Sequence, residues 1–308
     1  MDELIDDVQQ IPIRVEAVGR VVENIVTADS RVQWIPGEEL DLGSKRWRPS
    51  AVSQGSETRL LYVCLQEEIP RFVAERISLA AARGIRVTVA LMIPTLFSEQ
   101  VIEVLTDVDS DVYVIDDYQE DRRYRARHLL AAIADVGVPI EPNLRKSMAR
   151  KIWSRIDEGT NNQKGRRLEA FLSFLFSQVL DLRVVERNYR NESEEIDLVV
   201  QVDNFSNRAW QKPGVPFILV ESKNTQDKST QYMVSTMLTK LQTKRGSAKI
   251  GIMVCPSGFT EAARLQELRF STQDLCIAMV DTEDILRLIE VDDLDGALEA
   301  IVRRSLLR

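Results

Sequence analysis

Four side chains in the second half of the sequence have the types and spacing to do chemistry together. KGRRLEAFLSFLFSQVL (164–180) reads as a helix with Leu168, Leu172, Leu175 and Val179 along one stripe. Phe171, Phe174 and Phe176 widen that stripe until the helix must be largely buried. Glu169 is its only acid, and a lone carboxylate is costly to bury unless it meets a cation or a metal. VVERNYR (184–190) and IDLVVQV (196–202) read as a β pair joined by the polar turn NESEE. In the second strand Ile196, Leu198, Val200 and Val202 share one face while Asp197 takes the other. FILVESK (217–223) alternates Phe217, Leu219, Glu221 and Lys223 onto one face, which sets a carboxylate and an ammonium side by side. Such a pair is poor core material at the end of an apolar strand.

These groups suit phosphodiester hydrolysis. The scissile phosphate is anionic and repels hydroxide. A divalent cation held by Asp197 and Glu221 would screen it and lower the pKa of a bound water. Lys223 would orient or deprotonate that water, or steady charge on the pentacovalent phosphate. Glu169 would complete the metal's outer shell or hold a second ion. Hard oxygen donors without histidine or thiolate favour Mg²⁺ or Mn²⁺ over Zn²⁺.

A helix glutamate, an acid on a strand and ExK on the next strand resemble the signature of the PD-(D/E)xK nuclease superfamily. The tail is similar, more narrowly, to the Mrr-like restriction endonuclease branch. After VESKN comes a helix around 228–243, then KIGIMVCPSGFTEAA (249–263), then LCIAMVDTEDILRLI (275–289). The resemblance covers about 164–290. It implies a restriction-endonuclease-like mixed sheet flanked by helices, with Glu169 as the helix carboxylate, Asp197 and Glu221 as metal-binding acids and Lys223 as the catalytic lysine. Gln231 would match a glutamine that some members hold near the DNA backbone, with Gln242 as a rival. Ile196 stands where the family usually has proline, and 203–216 lengthens the loop between the acidic strands. The implied activity is a Mg²⁺- or Mn²⁺-dependent DNA endonuclease of prokaryotic defence or restriction, acting as a homodimer to cut both strands. A DNA-repair or junction-resolving nuclease, an RNase and a non-cleaving nucleic-acid-binding module of the same fold are the alternatives.

Cations gather before the helix (Arg145, Lys146, Arg150, Lys151, Arg155) and at its start (Lys164, Arg166, Arg167). A second group, Lys240, Lys244, Arg245 and Lys249, closes the helix that follows Lys223. Both groups could neutralise phosphates, or simply be solvated faces. At a helix start cations oppose the dipole, so Lys164, Arg166 and Arg167 would favour an external anion.

The remaining composition removes other chemistries. One histidine, His128, excludes a zinc site built on several histidines. It lies in RRYRARHLL, a basic stretch with a helical look, as a surface or interface residue. Cys64, Cys255 and Cys276 sit far apart in apolar runs, as reduced core residues of a cytoplasmic protein. No apolar run is long enough for a membrane span. The net charge of −8 is uneven: residues 1–141 hold 15 basic and 25 acidic side chains, and 142–308 hold 25 and 23. Within the latter, 274–299 carries nine acids against one arginine.

That asymmetry suggests two units, 1–140 and 141–308. In the first, RLLYVCL (59–65), RVTVALMI (86–93) and DVYVIDD (111–117) alternate with helical patterns over about 69–83 and 97–106, and a charged helix follows. The alternation predicts a Rossmann-like α/β unit with parallel strands, preceded by a long loop over 36–58. No GxGxxG follows the first strand and no GxxxxGK[ST] occurs, so phosphate-loop chemistry has no support. Asp116 and Asp117 end the third strand, where ligands bind in such sheets, or simply form its turn. Sensing of a nucleotide or other ligand, docking of a protein partner and dimerisation are the roles left open for this unit.

Overall fold

The computed structural model describes residues 16–27, 32–43, 45–53, 57–66, 68–106, 108, 110–115, 123–126, 129–137, 139–190, 195–203, 207–268 and 274–307. The chain divides into two compact units, Met1–Val136 and Gly137–Arg308.

The first unit begins with helix α1 over 16–27. Strands β1 (Trp34–Pro36), β2 (Leu40–Asp41), β3 (Arg46–Trp47), β4 (Ala51–Ser53) and β5 (Arg59–Cys64) follow. Then come α2 (Arg71–Ala82), β6 (Arg86–Met92), α3 (Ile93–Leu96), α4 (Glu99–Thr106), β7 (Ser110–Ile115), β8 (Arg123–Ala126) and α5 (Leu129–Val136). The sheet runs β1-β4-β5-β6-β7-β8, and only β5, β6 and β7 pair in parallel. It is α/β, as the alternation predicts, but mixed. Antiparallel β1 and β4 extend one edge and antiparallel β8 the other.

Two expectations give way here. The expected loop over 36–58 contains β2, β3 and β4, whose short runs carry too few residues for a period to show. The basic stretch expected to be helical contributes β8, because Val112 and Val114 of β7 pair with Ala126 and Tyr124. Long-range pairing overrides local propensity there. Asp116, Asp117 and His128 lie outside the described residues. Val22 and Ile25 of α1 pack with Trp34, Leu61, Val63 and Tyr113, so this helix is one cover of the sheet.

The second unit holds α6 (Pro142–Trp153), α7 (Asn161–Ser177), β9 (Leu182–Arg190), β10 (Glu195–Val202), a short 3-10 turn (Ala209–Gln211) and β11 (Phe217–Ser222). It continues with α8 (Gln231–Thr243), β12 (Ala248–Val254), α9 (Glu261–Leu268), β13 (Cys276–Val280), α10 (Thr282–Glu290) and α11 (Leu294–Leu306). The sheet order is β13-β12-β11-β10-β9. β9, β10 and β11 pair antiparallel, whereas β11, β12 and β13 pair parallel. This is the expected mixed sheet flanked by helices, with β11 at the change of direction. Ile196, Leu198, Val200 and Val202 are all buried, as their alternation predicts.

Local signals set the elements that matter. α7 starts at Asn161, three residues before the apolar pattern suggests, because Thr160 and Gln163 form a reciprocal capping box. Lys164, Arg166 and Arg167 therefore do not open the helix, and the dipole ceases to argue for an external anion. α8 lies on the sheet through Val234, Met237, Leu238 and Leu241. Gly251 of β12 permits that approach, since a Cβ there would stand 2.5 Å from Met237 Cε. All three cysteines are buried and free, and no helix among the described residues is long and apolar enough to cross a membrane.

A fragment of residues 137–308 carries this whole sheet and its helices. It is expected to unfold in one cooperative step in urea, by circular dichroism and tryptophan fluorescence alike. Non-coincident transitions would count against an independent unit.

Candidate active site

β11 ends where its partner β10 begins. Their paired residues run from Gln201↔Phe217 to Leu198↔Val220 and stop there. The next step of that register sets Asp197 opposite Glu221, so both carboxylates leave the same face of the sheet. Asp197 Oδ2 accepts from the Ser222 N–H at 2.7 Å and from Ser222 Oγ at 2.9 Å. A side chain thus takes the strand-end amide that a continuing ladder would have used. Glu221 Oε1 accepts from Lys240 Nζ of α8, and the same ammonium donates to the Glu195 carbonyl of β10. Asp197 Oδ1 and Glu221 Oε2 are left without a hydrogen-bond partner among the described residues.

The electrostatics follow from this crowding. Burial, and after it the Asp197 charge, push the Glu221 carboxyl up to about 7, with Lys240 pulling the other way. Burial also raises Glu169, again helped by Asp197, while a hydrogen bond from Asn188 and the charge of Arg166 oppose the rise. The three predicted acids are therefore neighbours that feel one another. They do not form a ready three-ligand cluster of acids, histidines or cysteines, and no such cluster occurs among the described residues. Glu221 is hydrogen-bonded by Lys240 of α8, and Glu169 by Asn188.

Asn188 escapes a reading of the sequence. It faces Asp197 across the β9–β10 ladder, between the pairs Ile196↔Tyr189 and Leu198↔Arg187. Its φ of 51° lies in the left-handed region, which asparagine tolerates better than most residues. The only signal was an asparagine in the middle of a strand pattern, where that residue type is depleted. Lys240 was legible only as one of four cations in a group, and Ser222 not at all.

Lys223 lies one residue past β11 and is exposed. Its backbone is fixed, because its N–H donates to Val254 O at 2.8 Å. Next to it, Asn224 Nδ2 donates to the carbonyls of Ile156 (3.0 Å) and Lys164 (3.2 Å). The Lys223 ammonium has no partner among the described residues. The cation beside Glu221 is thus Lys240, whereas strand alternation suggested Lys223.

Several of the predicted phosphate contacts are committed to other groups. Arg167 donates to the carbonyls of Arg155 and Glu158, so it braces the turn between α6 and α7. Arg145, buried, donates to the carbonyls of Val291 and Asp292, Lys146 pairs with Asp292, and Arg150 pairs with Glu290. The basic run before α7 is therefore the counterpart of the acidic stretch near the end of the chain. Lys249 pairs with Asp274. Lys164 lies against Asn224 through its backbone, and Arg166 is exposed near Glu169. Lys244 sits 5.0 Å from the centre of the Tyr189 ring, and Arg245, exposed, has a φ of 52°. Gln231 is exposed at the first position of α8, nine residues from Lys240 and so roughly 13 Å along the axis.

The chain matches no protein-family model and no curated protein. Among solved structures it is similar to a repair endonuclease from Pyrococcus abyssi, at 18% identity over 41% of this chain and 49% of that one, with a TM-score of 0.27. It is similar to EndoMS in a complex with double-stranded DNA, at 15% identity over 33% of this chain and 37% of that one, with a TM-score of 0.23. A third likeness is to SfsA of Pyrococcus furiosus with Ca²⁺, at 13% identity over 38% and 58%, with a TM-score of 0.23. The chain spans about half the length of the first of these and less of the second.

The crowding of carboxylates can be tested without any ligand. Glu221 should titrate near pH 7 in a carboxyl ¹³C NMR series, mostly protonated at pH 6 and ionised at pH 8. Asp197→Asn removes a like charge, so the midpoint should fall while burial keeps it above the ordinary glutamate value. An unmoved midpoint would separate the two groups.

Proposed function

We propose that this chain is a metal-dependent endonuclease that hydrolyses phosphodiester bonds in DNA, a nuclease of restriction or defence type whose first unit regulates the second. The observation that supports it most is the Asp197–Glu221 pair. Two carboxylates stand side by side at the ends of apolar strands, each with one oxygen committed to protein donors and one free. A site for a hard divalent ion that keeps most of its waters needs little more than one or two carboxylates. The donor set fits Mg²⁺ or Mn²⁺ and offers nothing to a softer metal. When bound, such an ion supplies charge screening for the phosphate and a water of lowered pKa.

The chain's own residues supply the rest. Asp197 and Glu221 would hold the ion at the strand ends, outside the carboxyl end of β11, where α/β sheets place ligands. Glu169 accepts from Asn188 and adds negative potential behind Asp197. Lys223, with its backbone anchored and its ammonium uncommitted, reaches the non-bridging oxygens or the attacking water. Lys164 and Arg166 on the α7 side, and Lys244 and Arg245 on the α8 side, meet the flanking phosphates, with Gln231 at the far end of α8. One such site cuts one strand, so cutting both takes two copies of the chain.

Supercoiled plasmid, single-stranded DNA and RNA, each with millimolar Mg²⁺ or Mn²⁺, decide the substrate. Wild type should nick or cut DNA, and Glu221→Ala should lose that activity by at least about 100-fold. Lys223→Ala should lower cleavage on the order of 100-fold while leaving DNA affinity within a few-fold. A parallel loss of affinity would make Lys223 a phosphate contact only. Metal-dependent cutting of RNA alone would reassign the substrate. Binding without cutting of any nucleic acid would leave a non-cleaving module.

A further inference from the structure

Two lysines stand at the carboxylate site, and their surroundings differ. Lys223 is exposed and its ammonium is uncommitted among the described residues. Lys240 is 13% exposed and makes two contacts, to Glu221 Oε1 and to the Glu195 carbonyl. We infer that Lys240 is a positioning residue, which holds Glu221 so that its second oxygen serves a divalent cation together with Asp197. This deepens, and rests on, the reading of the site as metal-binding.

The geometry assigns this role because of where the two contacts lie. Glu195 is on β10, two residues before Asp197, and Glu221 is on β11. The paired residues of these strands stop at Leu198↔Val220. Beyond that point no ladder fixes the distance between the strands. Side chains take over: Asp197 reaches Ser222, and the Lys240 ammonium spans Glu195 and Glu221. One cation therefore fixes a ligand carboxylate and the spacing of the two strands that carry the ligands.

The base of Lys240 is held as well. Met237 and Leu241, three residues before it and one after, are buried against β12, where Gly251 lets α8 approach closely. A lysine on a helix so placed does not swing freely to substrate. Its ammonium is spent on the carboxylate that it orients, which leaves Lys223 to meet the phosphate. Groups that hydrogen-bond metal ligands characteristically change metal affinity when removed, by about 10- to 100-fold.

Calorimetric titration of the full chain with Mn²⁺ tests this, with the metal-free Tm of each variant measured alongside. Lys240→Met should raise the Kd by about tenfold or more, and Lys240→Arg should restore it to within a few-fold of wild type. Lys223→Met should leave the Kd within about twofold, since no ligand carboxylate depends on it. A lowered Tm with an unchanged Kd in Lys240→Met would make the lysine a structural brace and overturn the inference. Tighter binding would also overturn it, by showing a cation that competes with the metal. Where Lys240→Met does not fold, Lys240→Gln shortens the reach and removes the charge but keeps a donor. Weaker Mn²⁺ binding in it supports the inference, and unchanged binding overturns it. If wild type binds no Mn²⁺ while Lys240→Met is stably folded, the metal-binding reading itself fails, and this inference falls with it.

Discussion

Two carboxylates forced onto neighbouring positions of an apolar sheet are the constraint around which the second unit is arranged. Glu221 is pushed to about 7, a shift that corresponds to about 3 kcal/mol against its ionised form. That shift is already net of the opposing hydrogen bond and charge of Lys240, and one further neutral hydrogen bond would contribute only roughly 1 kcal/mol. The surroundings answer with several donors instead. Ser222 gives an amide and a hydroxyl to Asp197, Lys240 gives an ammonium to Glu221, and Asn188 gives its side chain to Glu169. The opposition is incomplete, which is why Glu169 and Glu221 stay raised. A structural salt-bridge cluster would have closed the deficit with a second cation at full reach. Here Lys223, the next residue but one, has no partner for its ammonium among the described residues.

The sheet topology explains why the carboxylates meet at this end of the strands. β11 is antiparallel to β10 and parallel to β12. Its carboxyl end therefore coincides with the amino end of β10 and the carboxyl ends of β12 and β13. Strand-end donors and the loops that follow β11 and β12 all open on that side. Ser229 pairs with Phe259 there, and Ser257 Oγ donates to the carbonyls of Thr225 and Asp227. The turn PSGFT thus props the segment that follows Lys223. What looks in the sequence like a tail beyond the chemistry is the support for the chain next to it.

Much of the site was legible because its signals are local. Glu169, Asp197 and Glu221 each stand beside or within a clean apolar period, and those periods were strong enough to name the helix and both strands. What was not legible depends on partners distant in sequence. Lys240 is one of four cations in a run of ten residues, and only packing of α8 on β12 shows that it turns toward β10 and β11. Asn188 acts because β9 pairs with β10 in one register. β8 forms because β7 offers it an edge, against a local pattern that favours a helix. Thr160 and Gln163 were a capping pair in plain view, but they lie outside the apolar window that defined the helix. In the first unit, α1 and β1 share one core with β5; β1, at three residues, is too short to declare itself, and α1 went unread although it is as long as α2.

Charge is where composition misleads most. The excess of cations from 145 to 155 and of acids from 274 to 299 suggested a basic face for nucleic acid beside an acidic tail. The structure joins much of the two. Arg150 meets Glu290, Lys146 meets Asp292, and Arg145 is buried on the carbonyls of Val291 and Asp292. Ion pairs at that surface contribute little stability each, yet they remove those cations from the set that can meet a phosphate. Arg167 and Lys249 are withdrawn in the same way. Among the described residues the cations by the carboxylates include Lys223 at the strand end, Lys164 and Arg166 on α7, and Arg245 past the close of α8, with Lys244 over the Tyr189 ring. An anionic polymer laid along that edge would meet positive groups on both sides of a negative centre. Under the proposed function, a divalent ion held by Asp197 and Glu221 would neutralise the two carboxylates, so phosphate affinity and metal occupancy would rise together.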